Sequence, residues 1–223
     1  NFQFNSLAFD AINLYGSLPS ELYQLTDLRA VSITRNHIDG PIPTELFSLP
    51  YLEDLRLYAN AINGEIPTEI ALATNLRVLR LSDNDIFSNV PTEIGLLTNL
   101  EELNMGHNHL LRTLPTELGL LTNLKILNLE ENRISGTLPT ELGQCTQMEI
   151  IYLGENLMNG PIPAEFGNFG STIDEIRLTS SGLSGPLPPS IGDLTNINRL
   201  DLNSNSFNGP LISELGRLTN LRT

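Results

Sequence analysis

The sequence predicts an α/β repeat solenoid, a single stack of about nine 24-residue repeats that each contribute one short parallel strand. A leucine-type position returns every 24 residues, with one step of 25 between residues 148 and 173. Two further leucine-type columns follow it and alternate with other residues. Repetition of this kind fixes the fold, because one repeat cannot bury its apolar face alone. The first column is Phe4, Leu28, Leu52, Leu76, Leu100, Leu124, Met148, Ile173, Ile197 and Leu221.

The alternation within each repeat predicts a short β-strand with one buried face. In the sixth repeat, Leu127 and Leu129 flank Asn128, which is a period of two. Such a period sends the two leucines to one side of the strand and the asparagine to the other. Stacked repeats then bury a continuous leucine core and line up their strands in parallel. We therefore expect Leu129 in the core and Arg133, four residues on, outside it.

Each strand is followed by an asparagine and then by a GxIPxEL element. The asparagines fall where the chain turns inward and leaves backbone groups without partners, and a carboxamide offers both a donor and an acceptor. In the GxIPxEL element the glycine permits a tight backbone path, and the proline favours the start of a short helical turn. The asparagine column is Asn36, Asn60, Asn84, Asn108, Asn132, Asn156 and Asn205.

The full unit, LxxLxLxxNxLxGxIPxELGxLTNL, resembles the plant-type leucine-rich repeat over almost the whole chain. That family includes the ectodomains of plant receptor kinases, receptor-like proteins and polygalacturonase-inhibitor proteins. The resemblance implies a right-handed superhelix with a concave parallel β-sheet and a second short strand near each GxIP. It also implies an extracellular or cell-surface location.

Residues 1–223 read as a single domain, with no linker and no apolar run long enough to cross a membrane. Both ends fall inside a repeat, and the cysteine-flanked caps of the resembled family are missing, so we expect missing or atypical caps. Phe2 and Phe4 are candidates to cover one end. The single cysteine, Cys145, occupies a leucine column and is expected to fill core space.

Charge and motifs narrow the functional classes. The chain carries 26 acidic and 12 basic residues, a net charge of −14. This argues against nucleic acid, which is bound through clustered basic charge, and against an anionic membrane surface. No nucleophile, metal-hydrolase or phosphate-loop motif occurs in the sequence. We therefore expect no enzyme, no cofactor and no direct membrane insertion.

The outward positions of the strands are the freest part of the repeat and carry the predicted ligand-binding residues. Arginines and tyrosines stand in repeats 3 and 4, and acidic residues with another tyrosine stand further along. A positive region beside a negative one, with aromatic anchors, suits a protein or peptide ligand. The alternative is that these charges only pair with each other across the strands. The predicted residues are Arg56, Tyr58, Arg80, Asp83, Asn104, His107, Asn128, Glu130, Glu131 and Tyr152.

Two central repeats break the repeat pattern and extend this predicted site. Ser88 and Arg112 replace the usual glycine, and Phe87 and Leu111 precede them in a column that is otherwise mostly polar. Two adjacent apolar side chains predict a small contact patch near the second strand. The alternative is that both side chains fold inward and fill space beside an altered turn.

Three regular columns allow other interpretations. Asp83, His107 and Glu131 align in consecutive repeats and are a weak candidate for a bridging metal, so we expect none. A glutamate column that includes Glu93 and Glu117 is either helix-start acids or a calcium-attracting row. A threonine column precedes it, either as helix caps or as an array that matches ice. The threonines are Thr44, Thr68, Thr92, Thr116 and Thr140.

Two classes of function follow from the sequence. The first is a non-catalytic recognition module, such as a receptor, adhesion or inhibitor ectodomain, that binds a protein or peptide through its concave face. The alternative is a structural or environmental extracellular solenoid, such as a wall-associated or ice-binding protein. Loss of binding after concave-face substitutions favours the first class, and activity that follows the threonine column favours the second.

Overall fold

A computed structural model describes residues 5–222 of the chain. Within these residues nine short strands form one parallel sheet, in which every strand neighbours the strand of the next repeat. We call the outward side of this sheet the strand face. The strands are β1 Ser6–Ala8, β3 Ala30–Ser32, β5 Asp54–Arg56, β7 Val78–Arg80, β9 Glu102–Asn104, β11 Ile126–Asn128, β13 Ile150–Tyr152, β15 Glu175–Arg177 and β17 Arg199–Asp201.

The predicted register is confirmed, because equivalent positions of neighbouring repeats pair directly. Leu55 pairs with Leu79, and Leu79 pairs with Leu103. All three side chains are fully buried, whereas the residues on either side of each are only half-buried. One side of the sheet therefore faces the core and the other is the strand face.

A second set of strands follows the turn in each repeat, as the resemblance implied. Within the described residues they form sheets of four, three and two strands, with breaks between β8 and β10 and between β14 and β16. These strands are β2 Tyr15–Ser17, β4 His37–Gly40, β6 Ala61–Gly64, β8 Asp85–Ile86, β10 Leu111–Arg112, β12 Arg133–Gly136, β14 Leu157–Met158, β16 Ser184–Gly185 and β18 Ser206–Phe207.

The first break coincides with the two repeats that lack the usual glycine. Gly64 and Gly136 take φ values of 84° and 80°, which glycine adopts without steric cost. Arg112 takes φ 62° at the equivalent place, a conformation that costs a non-glycine residue about 1–2 kcal/mol. Leu111 N still donates a hydrogen bond to Ser88 O at 2.8 Å, so the two neighbouring repeats remain hydrogen-bonded across the break. The second break falls at the 25-residue repeat.

The helical side of the described chain consists of 3₁₀ turns, whose short length keeps each repeat thin. They are η1 Ser20–Gln24, η2 Thr44–Ser48, η3 Thr68–Leu72, η4 Thr92–Leu96, η5 Thr116–Leu120, η6 Thr140–Gln144, η7 Ala164–Phe169, η8 Pro189–Asp193 and η9 Ser213–Arg217.

The interpretation of the threonines as helix caps is wrong. The cap position of η4 is held by Pro91, and Thr92 is the first residue of the turn. The Thr92 hydroxyl donates to the Glu93 carboxylate at 3.1 Å instead of capping the backbone. Proline supplies no side-chain acceptor, so the backbone donors at the start of the turn have no side-chain cap.

The asparagine column forms the predicted ladder inside the turns. Asn108 accepts a hydrogen bond from Ile86 N at 3.0 Å. Its amide donates to the carbonyls of Leu81, Met105 and Gly106, so one buried side chain ties two repeats together. Ser181 replaces asparagine in repeat 8, and its hydroxyl still donates to the Leu178 carbonyl.

Both ends of the stack depart from the predicted core. Phe9, Leu25 and Leu221 occupy core columns, yet they are exposed because no described repeat packs outside them. Phe2 and Phe4 lie outside the described residues. In the middle, Cys145 fills core space as predicted, and its thiol donates to Leu118 O at 3.3 Å. Burial raises the pKa of the Cys145 thiol to about 11, which leaves it unreactive at neutral pH.

Candidate ligand-binding surface

The first charged group on the strand face lies on β5, β7 and β9. Arg56 reaches back to Asp54 with contacts of 2.9 and 2.6 Å, and Arg80 makes two parallel contacts with Glu102 at 2.7 and 2.8 Å. The hydrogen bonds to Glu102 raise the pKa of Arg80 above its ordinary value. The predicted positive region is therefore largely neutralised by acidic side chains of its own and neighbouring strands.

Tyr58 lies two residues after the end of β5, beside this charged group. The Arg35 guanidinium lies 5.8 Å from the centre of its ring, within the range of a cation–π contact. The ring is half-buried and leaves one part open to a ligand. Tyrosines in such positions combine apolar contact with a hydrogen-bonding group.

The centre of the strand face is shaped by asparagines and glycines. Asn128 Oδ1 accepts a hydrogen bond from Glu130 N at 3.0 Å, and Asn104 accepts one from Gly106 N at 3.3 Å. A Cβ added at Gly106 would lie 2.9 Å from Asn128 Oδ1. Gly106 therefore makes room for the Asn128 side chain, and sequence reasoning had not given the glycine this role.

A second charged group lies on β13, β15 and β17 and extends beyond the predicted site. The Tyr152 hydroxyl donates to Glu175 at 2.7 Å, and Arg177 stacks 4.2 Å from the centre of the Tyr152 ring. Arg177 also pairs with Glu175 at 2.8 Å and with Glu130 at 3.6 Å. Burial, with the hydrogen bond to Glu175, raises the pKa of Tyr152 to about 12.

Sequence reasoning placed Glu175 and Arg177 on the strand face but left both out of the site. Their repeat follows the 25-residue repeat, and Arg177 contacts Glu130 two repeats away. That contact depends on Gly154, since a Cβ there would lie 3.0 Å from Glu130 Oε1. Arg177 Nε is buried and has no hydrogen-bond partner within residues 5–222.

The column at the end of the strands adopts left-handed backbone in every repeat, with φ between 51° and 57° for its members. It includes Asp83, His107 and Glu131. His107 Nδ1 lies 3.0 Å from Glu131 Oε2, so these two predicted residues do meet. In the described part of the chain no group of three or more potential ligands is placed to hold a metal ion.

Phe87 and Leu111 lie on the flank of the solenoid, beside the second strands. Their side chains are 50% and 40% exposed, which does not fit the alternative of inward folding. Both line one open groove of about 520 Å³, together with Glu65, Glu93 and Arg112. The two apolar residues are thus brought to one place, and charged side chains border it.

A further column of charged residues, which the sequence did not lead us to predict, lies at the opposite edge of the strands. Basic and acidic residues alternate there from repeat to repeat. Arg29 pairs with Glu53, Arg77 pairs with Glu101, and Lys125 reaches Glu101 at 2.9 Å. The alternation of sign at 24-residue spacing was visible in the sequence. These exposed pairs neutralise one another and form a regular edge for the strand face.

No helix within residues 5–222 is long and apolar enough to cross a membrane. The fold and surface together define a parallel-stranded repeat solenoid whose variable face is presented by its strands. A family model described as Leucine Rich Repeat matches residues 75–97, 99–121, 123–145 and 196–218. These four matches show that the chain contains leucine-rich repeats, and its solenoid is similar to plant receptor-kinase ectodomains.

Solved structures define this similarity. The plant peptide hormone receptor RGFR1 in complex with RGF2 is 31% identical, with a TM-score of 0.93 over 95% of this chain and 34% of that chain. The Arabidopsis receptor kinase HAESA, in complex with the peptide hormone IDA and the co-receptor SERK1, is 30% identical. Its TM-score is 0.92, over 100% of this chain and 38% of that chain. This chain thus spans about a third of the length of these receptor chains.

A plant ice-binding protein is also similar, with 25% identity and a TM-score of 0.82 over 95% of this chain and 68% of that chain. No curated protein matches the chain at the sequence level.

Proposed function

We propose that this chain is a non-catalytic, extracellular recognition module that binds a protein or peptide through the strand face of repeats 3 to 7. The observation that carries the proposal is the concentration of tyrosines and paired charges on positions that the repeat leaves free. Arg56, Tyr58, Arg80 and Tyr152 all stand there, above a core that is leucine-type in every repeat. We include the flank groove at Phe87 and Leu111 as an extension of the site.

The charged side chains on this surface are held in place before a ligand arrives. Arg80 is fixed by two contacts with Glu102, and Arg177 is fixed by Glu175 and by the Tyr152 ring. A ligand that meets fixed groups loses less side-chain freedom on binding than one that must order them. The Tyr58 and Tyr152 rings then supply the apolar contacts that commonly dominate binding energy.

The dimensions suit a short extended segment. Five neighbouring strands, β5 to β13, span about 19 Å at about 4.8 Å per strand. An extended peptide rises about 3.3 Å per residue, so roughly six residues cross this distance. The similar structure of RGFR1 is a complex with RGF2, and that of HAESA is a complex with the peptide hormone IDA. They support a peptide as the first ligand class to test.

A random linear peptide library displayed on phage tests this proposal. Clones selected on the wild-type protein are expected to bind a Tyr58→Ala, Tyr152→Ala variant at least tenfold more weakly. The matched control is Tyr51→Ala, which removes a half-exposed tyrosine that is not among the predicted binding residues. Selected clones that bind all three proteins equally would contradict the assignment of the strand face as the binding surface.

Ice binding is the second candidate, favoured by the similarity to a plant ice-binding protein and by the regular threonine column. The geometry weighs against it. The hydroxyls of Thr92, Thr116 and Thr140 donate to the glutamates beside them, and this leaves a charged row in place of free hydroxyls. We expect no thermal hysteresis at millimolar protein. Hysteresis that disappears in a Thr92→Lys, Thr116→Lys variant would establish the alternative.

A further inference from the structure

Three consecutive 3₁₀ turns end in an exposed leucine. Leu72, Leu96 and Leu120 are 60%, 54% and 51% exposed, although each is the last residue of its turn beside a fully buried core. The pattern is confined to the central repeats, because the same position is polar in the other turns. Those residues are Gln24, Ser48, Gln144, Asn168, Asp193 and Arg217.

A glutamate accompanies each of these leucines. Glu69, Glu93 and Glu117 stand three residues before Leu72, Leu96 and Leu120, and in a 3₁₀ helix residues three apart lie on the same side. We call these six residues the leucine–glutamate ridge.

Neighbouring repeats join the ridge into one surface. A Cβ at Gly95 would lie 2.8 Å from Glu117 Cβ and 3.2 Å from Leu120 Cδ1, so both side chains of one repeat reach the turn before it. Among the ion pairs of the described residues, none involves Glu69, Glu93 or Glu117. The ridge therefore combines exposed apolar area with acidic charge that is not neutralised.

We propose that the leucine–glutamate ridge docks an amphipathic, lysine- or arginine-flanked α-helix of a partner protein. Repeats stack at about 5 Å, which is close to the pitch of an α-helix at 5.4 Å. A helix that runs across the turns can therefore place apolar residues at i, i+4 and i+7 against Leu72, Leu96 and Leu120. Its basic side chains would meet the glutamates.

Charge selects this occupant over two others. A second copy of this chain carries a net charge of −14 and would bring further acidic charge to an unneutralised acidic surface. An anionic membrane surface would be repelled for the same reason. A basic helix gains both the apolar contact and the attraction to the glutamates, so its binding weakens as salt rises.

Binding of an 18-residue helical peptide, with a leucine stripe between two rows of lysines, tests the proposal by fluorescence anisotropy. A triple variant, Leu72→Gln, Leu96→Gln and Leu120→Gln, is expected to raise the Kd at least tenfold with an unchanged melting temperature. Glutamine already occupies this column at Gln24 and Gln144. A Glu69→Gln, Glu93→Gln, Glu117→Gln variant is expected to raise the Kd and to remove most of its salt dependence.

Two controls separate docking from general attraction to an acidic protein. A peptide of the same composition with scrambled leucines should bind at least tenfold more weakly, and Leu157→Gln should leave the Kd unchanged. Leu157 is an exposed leucine on the second-strand side. The proposal is overturned if the triple leucine variant binds as wild type or if the scrambled peptide binds equally. It is also overturned if the leucine variant melts well below wild type, or if sedimentation shows a dimer that this variant abolishes.

Discussion

The two sides of the same nine strands follow different rules. On the inner side, Leu103 and Leu127 are fully buried and pair in register with their neighbours. On the outer side, the residues beside them are Glu102, Asn104 and Asn128, and no simple pattern repeats from strand to strand. The inner side must be apolar in every repeat, because each repeat covers the next. The outer side is free to vary, and its irregularity is where a specific ligand can be recognised.

The largest expected effect is on the inner side. Leu129→Ala is expected to lower the free energy of unfolding by about 2–5 kcal/mol, because a fully buried leucine leaves a cavity. Arg133→Ala, four residues on and exposed, should cost less than about 0.5 kcal/mol. Urea denaturation of both variants measures the difference. Comparable losses would show that the inner and outer sides are wrongly assigned.

The asparagine ladder is a second test of the comparison between the inner and outer sides, since its side chains are polar but lie on the inner side. Asn108→Ala removes a buried carboxamide with four hydrogen bonds and should cost about 1–3 kcal/mol. Asn63→Ala is the matched control, because Asn63 is exposed and makes only one long contact, at 3.5 Å, within residues 5–222. Equal urea midpoints for the two variants would show that the asparagine ladder does not stabilise the fold.

The flank groove tests whether an irregular apolar pair behaves as surface or as core. Phe87→Ser with Leu111→Ser should change the free energy of unfolding by less than about 1 kcal/mol, because both side chains are about half exposed. The same double variant should weaken the binding of peptides selected on the wild-type protein. A loss of several kcal/mol, with peptide binding unchanged, would assign the pair to the core and remove it from the site.

The smallest expected effect is that of calcium on the glutamate column. Millimolar calcium should leave the melting temperature unchanged, since an ion that bound the folded state would raise it by mass action. Glu93 and Glu117 are half-buried, and each accepts a hydrogen bond from the threonine that precedes it. A rise that vanishes in a Glu93→Gln, Glu117→Gln variant would show that the column binds calcium.

Repetition made most of the fold predictable from the sequence. The strand register, the buried columns and the asparagine ladder all follow from the 24-residue spacing, because identical spacing puts identical residues in identical surroundings. Phe9, Leu25 and Leu221 stand in core columns but are exposed, because a repeat pattern does not show that the outermost repeat lacks a covering neighbour. The threonine caps were misplaced because proline occupies the cap position, a shift of one residue in a short turn.

The candidate site was predicted less completely, because side-chain pairing crosses the repeats. Arg80 and Glu102 were both known to point outward, but their two parallel contacts depend on side-chain conformations that spacing does not determine. The contact of Arg177 with Glu130 spans two repeats and depends on the empty space above Gly154. Repeat spacing alone does not predict contacts of this kind, because they depend on side-chain conformation and on local space between repeats.

The central claim is that the outer side of the strands carries recognition. Backbone amide NMR of the isotope-labelled chain, titrated with a peptide selected from the library, tests it most directly. The account predicts that shifted resonances concentrate in five segments, residues 54–58, 78–83, 102–107, 126–131 and 150–155. Shifts confined to the 3₁₀ turns, with these five segments unchanged, would contradict it.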